Sequence, residues 1–133
     1  MSTLHDLEQL DTDPAAGPQA IAPAYTSLAA WVEHSYAPCF VRRLSQTVRW
    51  CPHWWAHPEA IVRLTALWRT WEAARASDEP SAMADWLRVY LDALNPVLLG
   101  PDGPFASCTL ERHSDNRPLE LTAPPMGHFD LDD

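Results

Sequence analysis

Two cysteines and two histidines in this sequence are of the residue types that bind zinc. They form two arms, Cys51 with His57 and Cys108 with His113, separated by five residues in the first and four in the second. Thiolate and imidazole are the usual ligands of structural Zn²⁺, and four of them close its coordination shell. Neither arm has the tight Cys-x2-Cys spacing that makes a zinc prediction specific. The sequence therefore keeps zinc as an alternative to a domain without a cofactor.

The competing interpretation of these residues is structural. Cysteine without a metal behaves as a small buried hydrophobe, and we expect this of Cys39 in particular. His57 precedes Pro58 at a predicted helix start, where the helix dipole disfavours a cation unless thiolates neutralise it. A histidine in that position can also serve as a helix cap that accepts an amide hydrogen bond.

The same thiols are candidate nucleophiles. Catalysis by a thiolate needs a base within hydrogen-bond reach, and the pairs to consider are Cys108 with His113 and Cys51 with His53. The sequence has no glycine loop suited to an oxyanion and no recognisable catalytic signature. Carboxylates lie mostly in the two ends of the chain, away from these residues. We therefore predict that the protein is not an enzyme and assign no catalytic residues.

Seven tryptophans form the second notable feature of the sequence. Most lie at helical spacing and are predicted to fill the core, but Trp54 and Trp55 are adjacent and must diverge. Tryptophan is a frequent anchor of protein interfaces, so the exposed member of the pair is the predicted contact site, together with His53. A protein partner is the partner that this pattern favours.

Charge limits the other classes of partner. Nine arginines, no lysine and eighteen acidic residues give a formal net charge of −9. Such a balance disfavours a general binder of nucleic acid, whose affinity comes from clustered cations. Six arginines nevertheless lie between residues 38 and 77, so a masked nucleic-acid surface at Arg42, Arg43 and Arg49 is a second hypothesis. A third is that the acidic surface mimics nucleic acid.

Hydrophobic spacing predicts a helical domain. A first helix begins near Ser27 and is ended or kinked by Pro38, and a second short helix follows to about Gln46. The most regular pattern runs from Pro58 to about Ala76, with Ile61, Leu64, Trp68 and Trp71 as its buried stripe. A last helix begins after Ser81 and should stop at Asn95, before Pro96.

The remaining segments have turn or extended character. Residues 47–51 and 105–112 are predicted to pair as a short two-stranded β element that brings Cys51 close to Cys108. The expected fold is mainly α, a bundle of three to four helices with this optional β element. Residues 1–24 are predicted to be disordered, 25–113 to form the tryptophan-rich domain, and 114–133 to be a disordered acidic tail.

Location follows from the start of the chain and its cysteines. The opening residues, 1–6, lack the basic start and apolar run of a signal peptide, and no stretch approaches the roughly 18 apolar residues of a membrane span. We therefore expect a cytoplasmic protein with reduced thiols and no contact with membranes.

One block of the sequence resembles a known family. Trp50-Cys51-Pro52-His53-Trp54-Trp55-Ala56-His57-Pro58-Glu59-Ala60 is followed by Leu67-Trp68-Arg69 and later by Asp102-Gly103-Pro104-Phe105 before Cys108. This combination resembles an actinobacterial family classified as a domain of unknown function, over about residues 27–113, although His53 stands where an arginine is expected. The resemblance implies an accessory protein of plasmids, integrative elements or phages, and it implies no activity.

Overall fold

The computed structural model describes residues 21–130, and these residues form a mainly helical fold. Its first helical segment consists of α1 (Leu28–Trp31), a π-helical turn π1 (Val32–Tyr36) and α2 (Ala37–Cys39). A short 3₁₀ turn (Trp54–Ala56) leads into the long helix α3 (Pro58–Ala76). The last helical segment consists of α4 (Ala82–Trp86), the π-helical turn π2 (Leu87–Leu91) and α5 (Asp92–Leu98). The mainly α prediction is therefore confirmed.

Helix α3 is the centre of the fold because it packs against both other segments. Its start agrees with the sequence, since Pro58 occupies the first turn, where a missing N–H costs nothing. The predicted stripe was only partly correct. Leu64 is fully buried and Trp68 and Trp71 are half-buried, but Ile61 is 37% exposed, and Ala60 and Leu67 fill the core instead.

Aromatic rings connect the three segments. Trp31 of α1 lies 6.2 Å from Trp71 of α3, and Tyr36 of π1 lies 6.1 Å from Trp50, measured between ring centroids. Trp50 in turn meets Phe105 edge to face at 5.0 Å. Edge-to-face and tilted pairs of this kind add to the energy of burial. The tryptophan-rich core predicted from composition is thus formed by residues from all three segments and from the loops beside them.

The first segment begins as predicted, with the Ser27 hydroxyl accepting a hydrogen bond from the Ala30 N–H. The predicted second helix to Gln46 is wrong, because the backbone leaves helical geometry at Phe40. In its place the Ser45 hydroxyl accepts hydrogen bonds from the N–H groups of Thr47 and Val48 and stabilises a turn. Side chains that hydrogen-bond nearby backbone in this way favour turns over helix.

The last segment continues past the predicted stop. Pro96 lies inside α5, and Leu99 N–H donates to the Asn95 carbonyl to complete the final turn. Burial explains why the proline is tolerated, since Leu98 is fully enclosed and Asn95 accepts a buried hydrogen bond from the Tyr36 hydroxyl. Ser81 occupies the position before α4 as predicted, but its side chain makes no capping bond.

Two loops beside the helices, residues 47–51 and 100–113, carry three of the four candidate zinc ligands. Arg49 N–H donates to the Leu99 carbonyl, which holds residues 47–51 against the end of the last segment. The turn from Gly100 to Gly103 packs so closely that a Cβ on Gly103 would overlap the Val97 carbonyl oxygen. Within residues 21–130 there is no strand, so the predicted β element does not form. The Arg49 N–H bonds to Leu99, the N–H groups of Thr47 and Val48 bond to the Ser45 hydroxyl, and no backbone hydrogen bond joins 47–51 to residues 105–112.

The predictions for residues 1–20 and 131–133 lie outside the described residues. Among those that are described, none of the helices is both long enough and apolar enough to cross a membrane.

Candidate metal centre

Four separate local structures place the predicted zinc ligands. Cys51 ends the loop that Arg49 attaches to the last segment, and His57 is the residue before helix α3. Cys108 lies in a turn closed by its own N–H to the Phe105 carbonyl. His113 follows a second turn, closed by the Thr109 N–H donating to the Arg112 carbonyl. The four side chains come from two distant stretches of the chain, residues 51–57 and 108–113, and meet beside the start of α3.

The ligand atoms of these four residues all lie within 4.8 Å of one another. The Cys51 sulfur is 3.3 Å from His113 Nδ1, and the Cys108 sulfur is 3.5 Å from His57 Nε2. Zinc bonds of about 2.3 Å to sulfur and about 2.0 Å to nitrogen, at tetrahedral angles, separate neighbouring ligand atoms by roughly 3.3 to 3.8 Å. The Cys108 sulfur to His113 Nδ1 distance of 4.0 Å is slightly longer. The largest separation in the cluster, 4.8 Å, exceeds the tetrahedral range by about 1 Å, so the ligands would have to move inward by that order to complete a tetrahedron.

Both imidazoles are oriented by a hydrogen bond on the nitrogen that faces away from the cluster. His57 Nδ1 lies 2.6 Å from the Asn116 amide oxygen, and His113 Nε2 lies 2.6 Å from an Asp115 carboxylate oxygen. An oxygen acceptor fixes the proton on that nitrogen and leaves a lone pair on the other. Asn116 is itself held, because its amide nitrogen donates to the Pro104 carbonyl. In its neutral form, each ring would present its unprotonated nitrogen to the centre.

The two sulfurs are also in surroundings suited to thiolates bound to a metal. The Ser114 N–H lies 3.4 Å from the Cys108 sulfur, and the His53 N–H donates to the Cys51 sulfur. Burial raises the pKa of the Cys51 thiol, and the neighbouring Cys108 raises it further, against the opposing effect of the His53 N–H. Two buried thiolates side by side are thus costly alone. A divalent cation between them would remove that cost.

Burial of the four candidate ligands limits the kinds of metal site that they could form. Cys51, His57 and Cys108 are almost completely buried, and the Phe105 ring meets His57 edge to face at 5.1 Å. Structural zinc sites use four protein ligands, whereas catalytic sites leave a position for water or substrate. All four positions here come from the chain, which matches the structural type.

The predicted partner surface lies next to this centre. Trp55 is 60% exposed, whereas Trp54 is half-buried against the core, so the pair diverges as expected. The His53 ring stacks on Trp55 at 5.4 Å and lies equally close to the His113 ring. One exposed aromatic pair therefore sits directly over a metal-ligand candidate.

The three arginines of the nucleic-acid hypothesis are not equivalent. Arg42 and Arg43 are exposed. Arg49 is half-buried, and its guanidinium donates to the Cys108 carbonyl at 2.7 Å. Its contact supports the turn that carries a candidate ligand.

Asn116 and Asp115 are candidate site residues that the sequence did not reveal. They follow His113 after Ser114, in a segment that was predicted to be a disordered tail. The signal that could have found them is an amide and a carboxylate close to a candidate histidine ligand, since metal-bound histidines usually donate their second N–H to such groups.

Comparison with known proteins gives a family but no activity. No curated protein and no solved structure matches this chain. A family model described as a domain of unknown function (DUF4913) matches residues 25–127, which include all four candidate ligands and Asn116. Because this match covers more than half of the 133 residues, the chain belongs to the DUF4913 family of domains of unknown function.

Proposed function

We propose that this domain is a zinc-stabilised, non-enzymatic interaction module that binds a protein partner. The observation that carries the proposal is the convergence of four ligand atoms within 4.8 Å, with the outer nitrogens of both imidazoles already hydrogen-bonded. Chance clustering of cysteine and histidine explains the proximity but gives no reason for Asn116 and Asp115 to orient both rings.

The metal would act by joining distant parts of the chain. Cys51 and Cys108 are 57 positions apart and lie in loops without regular secondary structure. Such loops depend on a few contacts for their position, and a structural metal contributes its binding free energy to folding. Zinc would therefore hold both loops at the start of helix α3.

A closed site also favours a role without catalysis. With four protein ligands the metal has no position for a substrate, and neither candidate nucleophile pair is free of the cluster. The exposed stack of His53 on Trp55 supports partner binding instead, because an apolar ring on a fixed scaffold is an effective anchor. The metal would keep this ring pair in place through the Cys51 loop.

The biological setting completes the proposal. The sequence resemblance implies an accessory protein of mobile genetic elements in actinobacteria, and the free thiols suit the reducing cytoplasm. The nucleic-acid hypothesis also includes the zinc centre, but the Arg49 guanidinium is already bound to the Cys108 carbonyl and is therefore less suited to contact a phosphate. The acidic-mimic hypothesis gains no rigid acidic face among the described residues. Protein binding is therefore the preferred function.

Metal content tests the proposal most simply. The untagged protein is purified, and zinc is measured with the C51S, C108S and C39S variants. Cys39 was expected to be buried, but it is exposed at the end of α2 and lies outside the cluster, so it is the matched control. We expect one zinc per chain in the wild type and in Cys39→Ser, and loss of zinc with lower stability in the other two. A stable, metal-free wild type would refute the metal centre.

A further inference from the structure

Residues 117–130, here called the arm, leave the domain directly after Asn116. Four large apolar side chains of the arm are in solvent: Leu119 is 89% exposed, Leu121 91%, Met126 fully exposed and Phe129 73%. Within the described residues, 117–125 form no helix or strand. A run of exposed apolar side chains of this size is typical of a binding segment.

Two features of the arm favour binding: prolines restrict its backbone, and the residue before it is held in a fixed position. Pro118, Pro124 and Pro125 fix three backbone φ angles, which lowers the entropy lost when the arm is immobilised. Its origin is fixed by Asn116, which bonds to His57 and to the Pro104 carbonyl. The arm therefore projects from a defined point beside the candidate metal centre.

An apolar groove of matching character is open on the same molecule. It has a volume of about 180 Å³ and is lined chiefly by Tyr36, Phe40, Val41, Arg42, Leu44 and Trp50. Val41 is 70% exposed, so part of this lining faces solvent. A second hollow of about 440 Å³ continues from Arg42 towards Pro96 and Pro101. Asp92 also lines this second hollow, near its Pro96 end.

Charge is complementary between the two surfaces. Arg42 lies in the groove and Arg43 beside it, and among the described residues neither forms an ion pair. The arm begins with Arg117, but the part beyond it carries Glu120 between its two leucines and Asp130 at its end. Residues 118–130 are therefore net acidic, and they would meet an apolar groove with a basic rim.

We propose that the arm of one copy of this chain docks in the groove of a second copy, and that two copies exchange arms. In this structure the arm stays in solvent and does not fold back into its own groove. Exchange covers both arms and both grooves in one closed, twofold assembly. This inference concerns a surface other than the His53 and Trp55 stack, so it goes beyond the proposed function and does not depend on it.

The test is the mass of the zinc-loaded protein over a range of concentrations, measured by light scattering after gel filtration. We expect a dimer in the wild type. Leu119→Asp with Leu121→Asp should give a monomer, and so should Val41→Asp in the groove. Thr122→Asp with Ala123→Asp adds the same charge to the arm and should remain dimeric.

Mixing provides the decisive step. The arm variant and the Val41→Asp variant, each monomeric alone, should form a heterodimer, because one intact arm and one intact groove remain. A wild type that is monomeric at all concentrations, or a dimer that survives the arm substitutions, overturns the inference. Zinc is measured in every sample, so a zinc-loaded monomer refutes only arm exchange, and a metal-free, arm-dependent dimer refutes only the metal centre.

Discussion

Replacing Asn116 with alanine should weaken zinc binding far more than replacing Asp115, although each residue binds one histidine of the cluster. Asn116 bonds to His57, which is completely buried, and Asp115 bonds to His113, which is partly exposed. The side chain of Asp115 is itself 85% exposed. Water can therefore replace the lost acceptor at His113 but has poor access to His57.

The magnitude follows from that difference in access. A buried N–H left without an acceptor costs about 1–3 kcal/mol, and loss of a partner behind a metal ligand weakens metal binding by about 10–100-fold. Since a factor of ten is about 1.4 kcal/mol, the two values agree. We expect Asn116→Ala to weaken zinc binding by about 30-fold. Asp115→Ala should weaken it by less than about threefold, because hydration replaces the lost bond.

Zinc affinity is measured by competition with a coloured chelator at one pH and ionic strength. Both variants alter a residue beside the centre and neither removes a ligand, so they control for each other. Equal losses in the two variants, or a larger loss with Asp115→Ala, would refute the reasoning that burial of His57 sets the cost.

Three further changes test the surrounding fold. Glu72→Gln should lower the free energy of unfolding at neutral pH but not in acid. Burial tends to raise the pKa of this carboxyl, but hydrogen bonds from Ala24, Tyr25, Trp68 and Arg75 outweigh that effect and lower it. The stabilisation by the carboxylate is therefore lost as pH falls through the lowered pKa, and denaturant unfolding at a series of pH values would detect the loss. Leu64→Ala should cost about 2–5 kcal/mol in the same assay, whereas the exposed Val62→Ala on the same helix should cost under about 1 kcal/mol. Gly103→Ala should destabilise by at least about 1 kcal/mol, because its Cβ meets the Val97 carbonyl, while Asp102→Ala next to it should be close to neutral. Similar stabilities within either matched pair, or a pH-independent effect at Glu72, would contradict these packing and charge arguments.

The helices were the most predictable part of the fold. Helix α3 begins at Pro58 as expected because its signals are local, namely a proline in the first turn and regular apolar spacing. Local signals failed where distant contacts decided the outcome. Pro96 was expected to end the last helix, but Leu98 and Asn95 are buried against other segments and keep the chain helical.

The candidate metal centre shows the same division. The ligand types and their two arms were visible in the sequence, and so was the expectation that Cys51 approaches Cys108. The predicted strand pairing between the two loops was wrong, because hydrogen bonds from Arg49 to Leu99 and Cys108 hold the loops together instead. Asn116 could not be identified from spacing alone, because its role depends on a fold that returns it to His57.

X-ray absorption at the zinc edge of the purified, zinc-loaded protein identifies the atoms bound to the metal. We predict a first shell of two sulfurs at about 2.3 Å and two nitrogens at about 2.0 Å, with the outer-shell scattering of imidazole rings. A shell made only of nitrogen and oxygen, one with a bound water in place of a ligand, or a protein that retains no zinc would contradict it.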